Sequence, residues 1–318
     1  MRALIIGIGG QDGSYLADTL LERGYDVCGI HRRTSTGNLK RIEHIKDRVR
    51  LYKGDLCDTQ SILNTISVVM PKEVYNLADQ DDVGWSYETP GYTYEVTGAA
   101  VGRLLEGLSL MTHVPHFFQA ISATIFGRAS APQCEETPLD PLSPYACAKS
   151  FALHLCRYYR EMHGLYVNTA IFYNHDSPRR GGNYLLTKIC KRAAEIRRGE
   201  SDVMRIDGDL SQRVDIGYAG SYMEAVSDMM ELGESTDLII GSGRTYTIHR
   251  LVKIAVGEGV EIINNPYKHS SPDRVFLHGS NRKAGELIRW DGGKELEELI
   301  PTMVDYYANR DSNDRGWI

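Results

Sequence analysis

Apolar residues come in short runs along this chain, and most runs are followed by a segment whose apolar positions recur every three or four residues. The run "RALII" near the start reads as a buried strand. The next segment, "GSYLADTLLERG", puts Leu16, Leu20 and Leu21 on one helical face and ends at Gly24, where a helix-closing glycine belongs. Further strands are expected at "YDVCGIH", "VRLYKGD", "EVYNLA", "HFFQAIS" and "YVNTAIFYN", each separated from the next by a helix-length stretch. Strand–helix alternation of this kind predicts an α/β fold: a Rossmann-type doubly wound parallel sheet.

The alternation fades after Asn174. Turn residues and then a basic helix fill "HDSPRRGGNYLLTKICKRAAEIRRGE", "STDLIIGSG" reads as one more strand, and "GKELEELIPTMVDYYANR" as a terminal helix. The expectation is a dinucleotide-binding domain over 1–173, joined by a returning strand near 237–241. A smaller C-terminal domain over 174–318 would bind mainly substrate.

Composition narrows the function classes. The 318 residues are 42% hydrophobic and 25% charged, with a formal net charge of -6, which is ordinary for a globular protein. Mild acidity argues against nucleic acid as a partner, which would need a basic surface. The six cysteines are scattered without a CxxC pair, so reduced thiols are expected and no metal site. No apolar stretch approaches the ~18 residues of a membrane helix. The first residues are too interrupted by Gly, Gln and Asp for a signal peptide. A cytoplasmic protein without a membrane partner is the expectation.

The first strand runs into "GIGGQDG", residues 7 to 13, where Gly7, Gly10 and Gly13 give a GxxGxxG spacing. A dinucleotide site needs glycines there for a tight turn, close backbone approach to a pyrophosphate and close helix–strand packing. The phosphates then meet free amides at a helix N-terminus. The second strand ends in His31-Arg32-Arg33 rather than in the acid that would bond the ribose hydroxyls of NAD. Two guanidiniums suit a 2'-phosphate, so NADP is expected over NAD. Asp55 would take an adenine edge.

"SPYACAKS" places Tyr145 and Lys149 four apart on an expected helix, hence on one face. A phenol has an ordinary pKa near ~10. A neighbouring ammonium and an oxidised nicotinamide favour the phenolate, which can take a proton from an alcohol. Ser122, at a strand end, would complete the set.

With the glycine loop, the serine and the Tyr–Lys pair together, the chain resembles the extended short-chain dehydrogenase/reductases that act on nucleotide sugars. It is most similar to the GDP-mannose 4,6-dehydratase group. The stretches that carry this are "GIGGQDGSYLADTLLERGYDVCGIHRR", "RIEHI", "GDLCD", "EVYNLADQ", "PLSPYACAKS" and "FYNHDSPRRGGNYLLTKI". The resemblance implies Gly7, Gly10, Gln11, Asp12 and Gly13 at the cofactor phosphates, and Arg32 and Arg33 at the 2'-phosphate. It implies Asp55 and Leu56 at the adenine, Leu77, Ala78 and Gln80 beside the nicotinamide, and His175 behind it. Tyr145 and Lys149 would be the catalytic pair, also touching the cofactor, with Ser122 on the substrate. Asn174, Asn183, Lys188 and Arg213 would meet a GDP-sugar or another nucleotide sugar. Arg179 and Arg180 would lie in a loop that helps form the cofactor site between subunits, which implies a homodimer or homotetramer.

The chemistry that the resemblance implies begins with oxidation at carbon 4 of the sugar. A carboxylate then removes the carbon 5 proton as water leaves from carbon 6, and the hydride returns to carbon 6. Where the group has that Glu, this sequence has Thr124, within Ser122-Ala123-Thr124. A threonine hydroxyl is not ionised near pH 7 and cannot serve as the base. Ser-Ala-Thr followed by an apolar residue, an aromatic and Gly is similar instead to the UDP-galactose 4-epimerase pattern, which has no elimination step. "ADQDDVGW" offers Asp79, Asp81 and Asp82 as substitute acids. Arg213 stands one place from the group's Arg, and His249 and Ser271 stand where arginines are expected. Carbon 4 oxidation followed by epimerisation or ketone release, dehydration with a relocated base, and a non-catalytic cofactor-binding partner or sensor are the readings left open.

Overall fold

A computed structural model describes residues 1–35, 37, 39–181, 184–265 and 275–309. Its centre is a seven-stranded sheet. In chain order the first six strands are β1 (Arg2–Ile6), β2 (Asp26–His31), β3 (Arg50–Lys53), β4 (Glu73–Asn76), β5 (His116–Ser122) and β6 (Val167–Phe172). The seventh, Asp237–Ile240, pairs with β6 in parallel. Across the sheet the order is Asp237–Ile240, β6, β5, β4, β1, β2, β3, with every pairing parallel. The order reverses between β1 and β4, and in open α/β sheets a ligand crevice lies outside the strand ends at that reversal.

Both faces of the sheet are covered, which explains why the strands read as near-continuous apolar runs. Side chains alternate across β1. Leu4 and Ile6 join a core with Val74, Leu104, Ile121 and Leu153. Ala3 and Ile5 join another with Leu16, Leu20, Tyr75, Phe118 and Met229 on the opposite face.

The chain returns to this core after residue 174 with more than the expected strand. Helix Ala219–Met230 packs beside helix Gln11–Glu22, and Arg23 ties the two by pairing with Asp228 and Glu231. A third core is built from helices Leu185–Arg197, Ile248–Val256 and Leu296–Ala308. Short strand pairs connect this part to the sheet: Asn174–Asp176 runs beside Ile216–Tyr218. Among the described residues no helix is long and apolar enough to cross a membrane.

Candidate active site

A cleft of about 740 Å³ opens at the β1–β4 reversal. Its floor is the glycine loop. Gly7 has φ of +90°, and a Cβ there would lie 2.9 Å from the Ala78 amide nitrogen, so β4 and the loop meet too closely for any side chain. Helix Gln11–Glu22 starts at Gly10, which carries no side chain to cap it. The first-turn amides are therefore left for a ligand, and Gly7, Gly10, Gln11 and Asp12 all border the cleft. Gly13 does not. A Cβ at Gly13 would sit 2.3 Å from the Gly7 carbonyl oxygen, so its part is to let helix and strand close up.

At the end of β2 the cleft is bordered by His31, Arg32, Asp55 and Leu56. Arg32 donates to the Tyr92 hydroxyl at 2.7 Å. Arg33 is exposed and stays outside the cleft. The second cation is Arg41, which donates to the carbonyls of Gly9 at 3.2 Å and Arg179 at 2.7 Å. Sequence reasoning did not single it out, although it opens the "RIEHI" stretch that carried part of the resemblance.

Beyond β4, Leu77 and Ala78 border the cleft, but Gln80 does not. Its amide is buried, donating to the Asp82 carbonyl and the Thr93 hydroxyl and accepting from the Asp82 backbone. It braces the turn instead of facing a ligand. Asp82 accepts from the Trp85 amide at 2.9 Å and caps helix Val83–Glu88. Asp81 accepts from the Tyr184 hydroxyl at 2.9 Å, across the cleft.

Helix Pro144–His163 supplies the central pair. Ser143 caps it by accepting from the Ala146 amide at 3.1 Å, and Pro144 occupies the first turn, where its missing N–H costs nothing. Tyr145 and Lys149 follow one turn apart, both buried at the cleft wall. Lys149 Nζ lies 5.7 Å from the Tyr145 ring centre, donates to the Ala120 carbonyl of β5 at 2.8 Å, and pairs with Asp79 at 2.5 Å. Ser122 ends β5 and accepts from the Thr124 hydroxyl at 3.0 Å. Burial above all holds the Tyr145 phenol well above its usual range, and the Asp79 and Asp81 charges add to this, while a hydrogen bond to Ser122 acts the other way.

Asp12 and His175 form a second pair, 3.0 Å apart, with the other ring nitrogen of His175 donating to the Tyr173 carbonyl at 2.9 Å. Burial alone would raise the Asp12 carboxyl, but the charge and hydrogen bond of His175 bring it down to about 2. Burial likewise pulls the imidazole down, and Asp12 more than offsets it, so His175 is raised. Arg180 stacks 3.5 Å over the Tyr184 ring, 3.6 Å from Asp81 and 3.5 Å from Asp176, and borders the cleft. Arg179 turns away to Asp18 at 2.7 Å and the Tyr15 ring at 4.1 Å.

Of the residues expected at the sugar, Asn174 borders the cleft. Lys188 is exposed on its helix and does not. Arg213 also lies outside, donating to Thr245 at 3.0 Å, while its neighbour Val214 stands in the cleft wall. The one-residue displacement thus exchanges a cation for an apolar side chain. His249 is exposed away from the cleft. Asn183 and Ser271 lie outside the described residues.

Comparison with known proteins places the chain in a family. The sequence profile of the family described as GDP-mannose 4,6 dehydratase matches residues 4–303. A GDP-mannose 4,6-dehydratase from Yersinia enterocolitica is 38% identical over 345 residues, covering 95% of this chain and 92% of the relative. Among solved structures, a UDP-glucose 4-epimerase of Thermus thermophilus in complex with NAD superposes with a TM-score of 0.83 at 23% identity, covering 97% of this chain and 99% of that one. RMD from Pseudomonas aeruginosa complexed with NADPH gives 0.81 at 20% identity, with 98% and 99% covered. These two share the fold. Matched by sequence over almost its whole length, the chain belongs to the GDP-mannose 4,6-dehydratase family of extended short-chain dehydrogenase/reductases.

Proposed function

We propose that this chain uses NADP to oxidise a nucleotide sugar, of the GDP-mannose type, at carbon 4, and then epimerises it or releases the 4-keto sugar. The observation that carries the reading is the convergence of Ser122, Tyr145 and Lys149 on one cleft with an uncapped helix N-terminus, while Thr124 stands at the place of the family's carboxylate. In the oxidising step Ser122 orients the carbon 4 hydroxyl and Tyr145 takes its proton. NADP, when bound, supplies the acceptor for the hydride that leaves carbon 4. For the reverse step Tyr145 returns the proton to the ketone oxygen.

The residues present fit that cofactor. Gly7, Gly10, Gln11 and Asp12 border the cleft at the uncapped helix N-terminus, and a Cβ at Gly7 would run into the Ala78 backbone beside them. Asp55 and Leu56 border the adenine end. Arg32, just beyond β2, and Arg41 both border the cleft and would supply the cations that a 2'-phosphate needs. Arg180 and Asn174 remain for the sugar and its diphosphate. A homodimer or homotetramer in a reducing, cytoplasmic compartment completes the reading, and the six free cysteines are in keeping with that compartment.

One observation favours dehydration as a second reading. Of the three acids after β4, Asp79 is committed to Lys149 and Asp82 to a helix cap, while Asp81 takes its partners, the Tyr184 hydroxyl and Arg180, from the cleft wall itself and would be the substitute base. Mass spectrometry of GDP-mannose incubated with the protein and NADP in heavy water decides. Loss of two hydrogens without loss of water, or an isobaric epimer separated from GDP-mannose by chromatography before the mass measurement, supports the first reading. Loss of water with deuterium at carbon 5 supports the second. No change in any nucleotide sugar tried would overturn both and leave a cofactor-binding protein.

A further inference from the structure

Two groups hold the Lys149 ammonium, and one of them is a carboxylate that the Tyr–Lys mechanism does not require. Asp79 leaves the end of β4 at the strand-order reversal and borders the cleft. Its side chain is 12% exposed and that of Lys149 4%, so the pair is shielded from water and salt. Both oxygens of Asp79 are used: one meets Lys149 Nζ at 2.5 Å, the other accepts from the Thr97 hydroxyl at 2.5 Å. The Ala120 carbonyl fixes the ammonium from β5 at 2.8 Å.

We infer that Asp79 is a positioning residue of the Tyr–Lys pair: it fixes the Lys149 ammonium and takes up its charge, leaving Tyr145 as the proton donor of the resting site. A bare ammonium beside a phenol favours the phenolate. Here the positive charge is matched at contact distance, while the phenol ring lies 5.7 Å from it. The other groups facing Tyr145 do not restore the balance. Asp81 opposes the phenolate, Arg180 favours it from the loop opposite, and Ser122 offers a neutral hydroxyl. The direction found for Tyr145 agrees with this arrangement.

The consequence rests on the carbon 4 reading. Oxidation needs Tyr145 without its proton and rises with pH, whereas return of the proton to a 4-ketone is served by the resting phenol. Asp79 therefore weights the site toward the returning step near neutral pH.

The test is a 13Cζ-tyrosine NMR titration of the cofactor-free protein, with the Tyr145 signal identified by its loss in Tyr145→Phe. Wild-type Tyr145 is expected to remain a phenol through pH 9. In Asp79→Asn it should titrate lower by at least about one pH unit, and Asp79→Glu, which keeps the charge, should restore the wild-type curve. A phenolate already present near pH 8 in the wild type overturns the inference, and that measurement needs no variant to fold. Coincident titration of wild type and Asp79→Asn overturns it too. No turnover is involved, so sugar oxidation without the NMR shift rejects Asp79 alone, and the shift without any sugar oxidised rejects the carbon 4 reading alone.

Discussion

At position 124, where the family resemblance implies a carboxylate, this chain has a hydroxyl with a bond of its own. Thr124 donates to Ser122, the residue expected to hold the substrate hydroxyl. Replacing Thr124 with Glu should raise water loss from a GDP-sugar by ~100-fold or more, the usual worth of a positioned acid–base group. Unchanged water loss by mass spectrometry would show that the missing carboxylate is not what limits elimination. The Asp12–His175 pair makes a pH prediction. Asp12 falls from 3.8 to about 2, so its share of stability, about 2 kcal/mol, is present above roughly pH 4 and lost as pH falls toward 2. His175 is raised above 6.5, so its share is present below that and lost as pH rises through the folded value. Asp12→Asn should therefore lower Tm most between about pH 4 and 6.5. A difference from wild type that does not vary with pH would rule out the charge pairing.

At the scale of elements, what was legible in the sequence is what repeats locally. The strands of a parallel sheet announce themselves because both faces are buried, and the glycine loop because its spacing is contiguous. The short pairs after residue 174 carry no such signal. Two residues, Arg213–Val214, form a strand only because Tyr246–Thr247 lies alongside, and nothing near either segment says so. Site residues follow the same division. Tyr145 and Lys149 share a helix face and were readable together, but Asp79 meets Lys149 across seventy residues of chain. Gln80 and Arg33 follow cleft residues in sequence yet turn elsewhere, because a side chain's direction at a strand end depends on the turn beyond it. The glycine loop supports a direct test. At Gly7 an alanine would need a positive φ and would meet the Ala78 backbone at 2.9 Å. Gly7→Ala is expected to lose tenfold or more in cofactor affinity and about 1 kcal/mol or more of stability. Fluorescence titration with NADPH and a thermal melt report the two effects, and wild-type values in both would refute the close approach of β1 and β4.

Across the whole molecule, helix Pro144–His163 is used on both sides. Its inner face holds Tyr145 and Lys149, while Phe151, Tyr158 and Met162 lie on its outer side at 51%, 50% and 70% exposure. The spacing of these three, seven and then four residues, makes one continuous stripe. Tyr94 and Leu110, from the segment 90–110 that packs against this helix, are exposed as well. An uncharged stripe along a long helix matches its own copy in a two-fold packing, where each residue of one subunit meets the same patch of the other. A second copy of this chain is therefore the occupant expected, in keeping with the oligomer that the family resemblance implies. Phe151→Glu would place a like charge on both sides of that contact and desolvate it. Sedimentation at micromolar concentration should show a dimer for wild type and a monomer for Phe151→Glu. The helix that carries Tyr145 and Lys149 would then lose its outer support, so the monomer should melt lower and, on the proposed function, transfer hydride more slowly with Tyr145 still in place. A wild-type protein that sediments as a monomer would break the link between this stripe and the site.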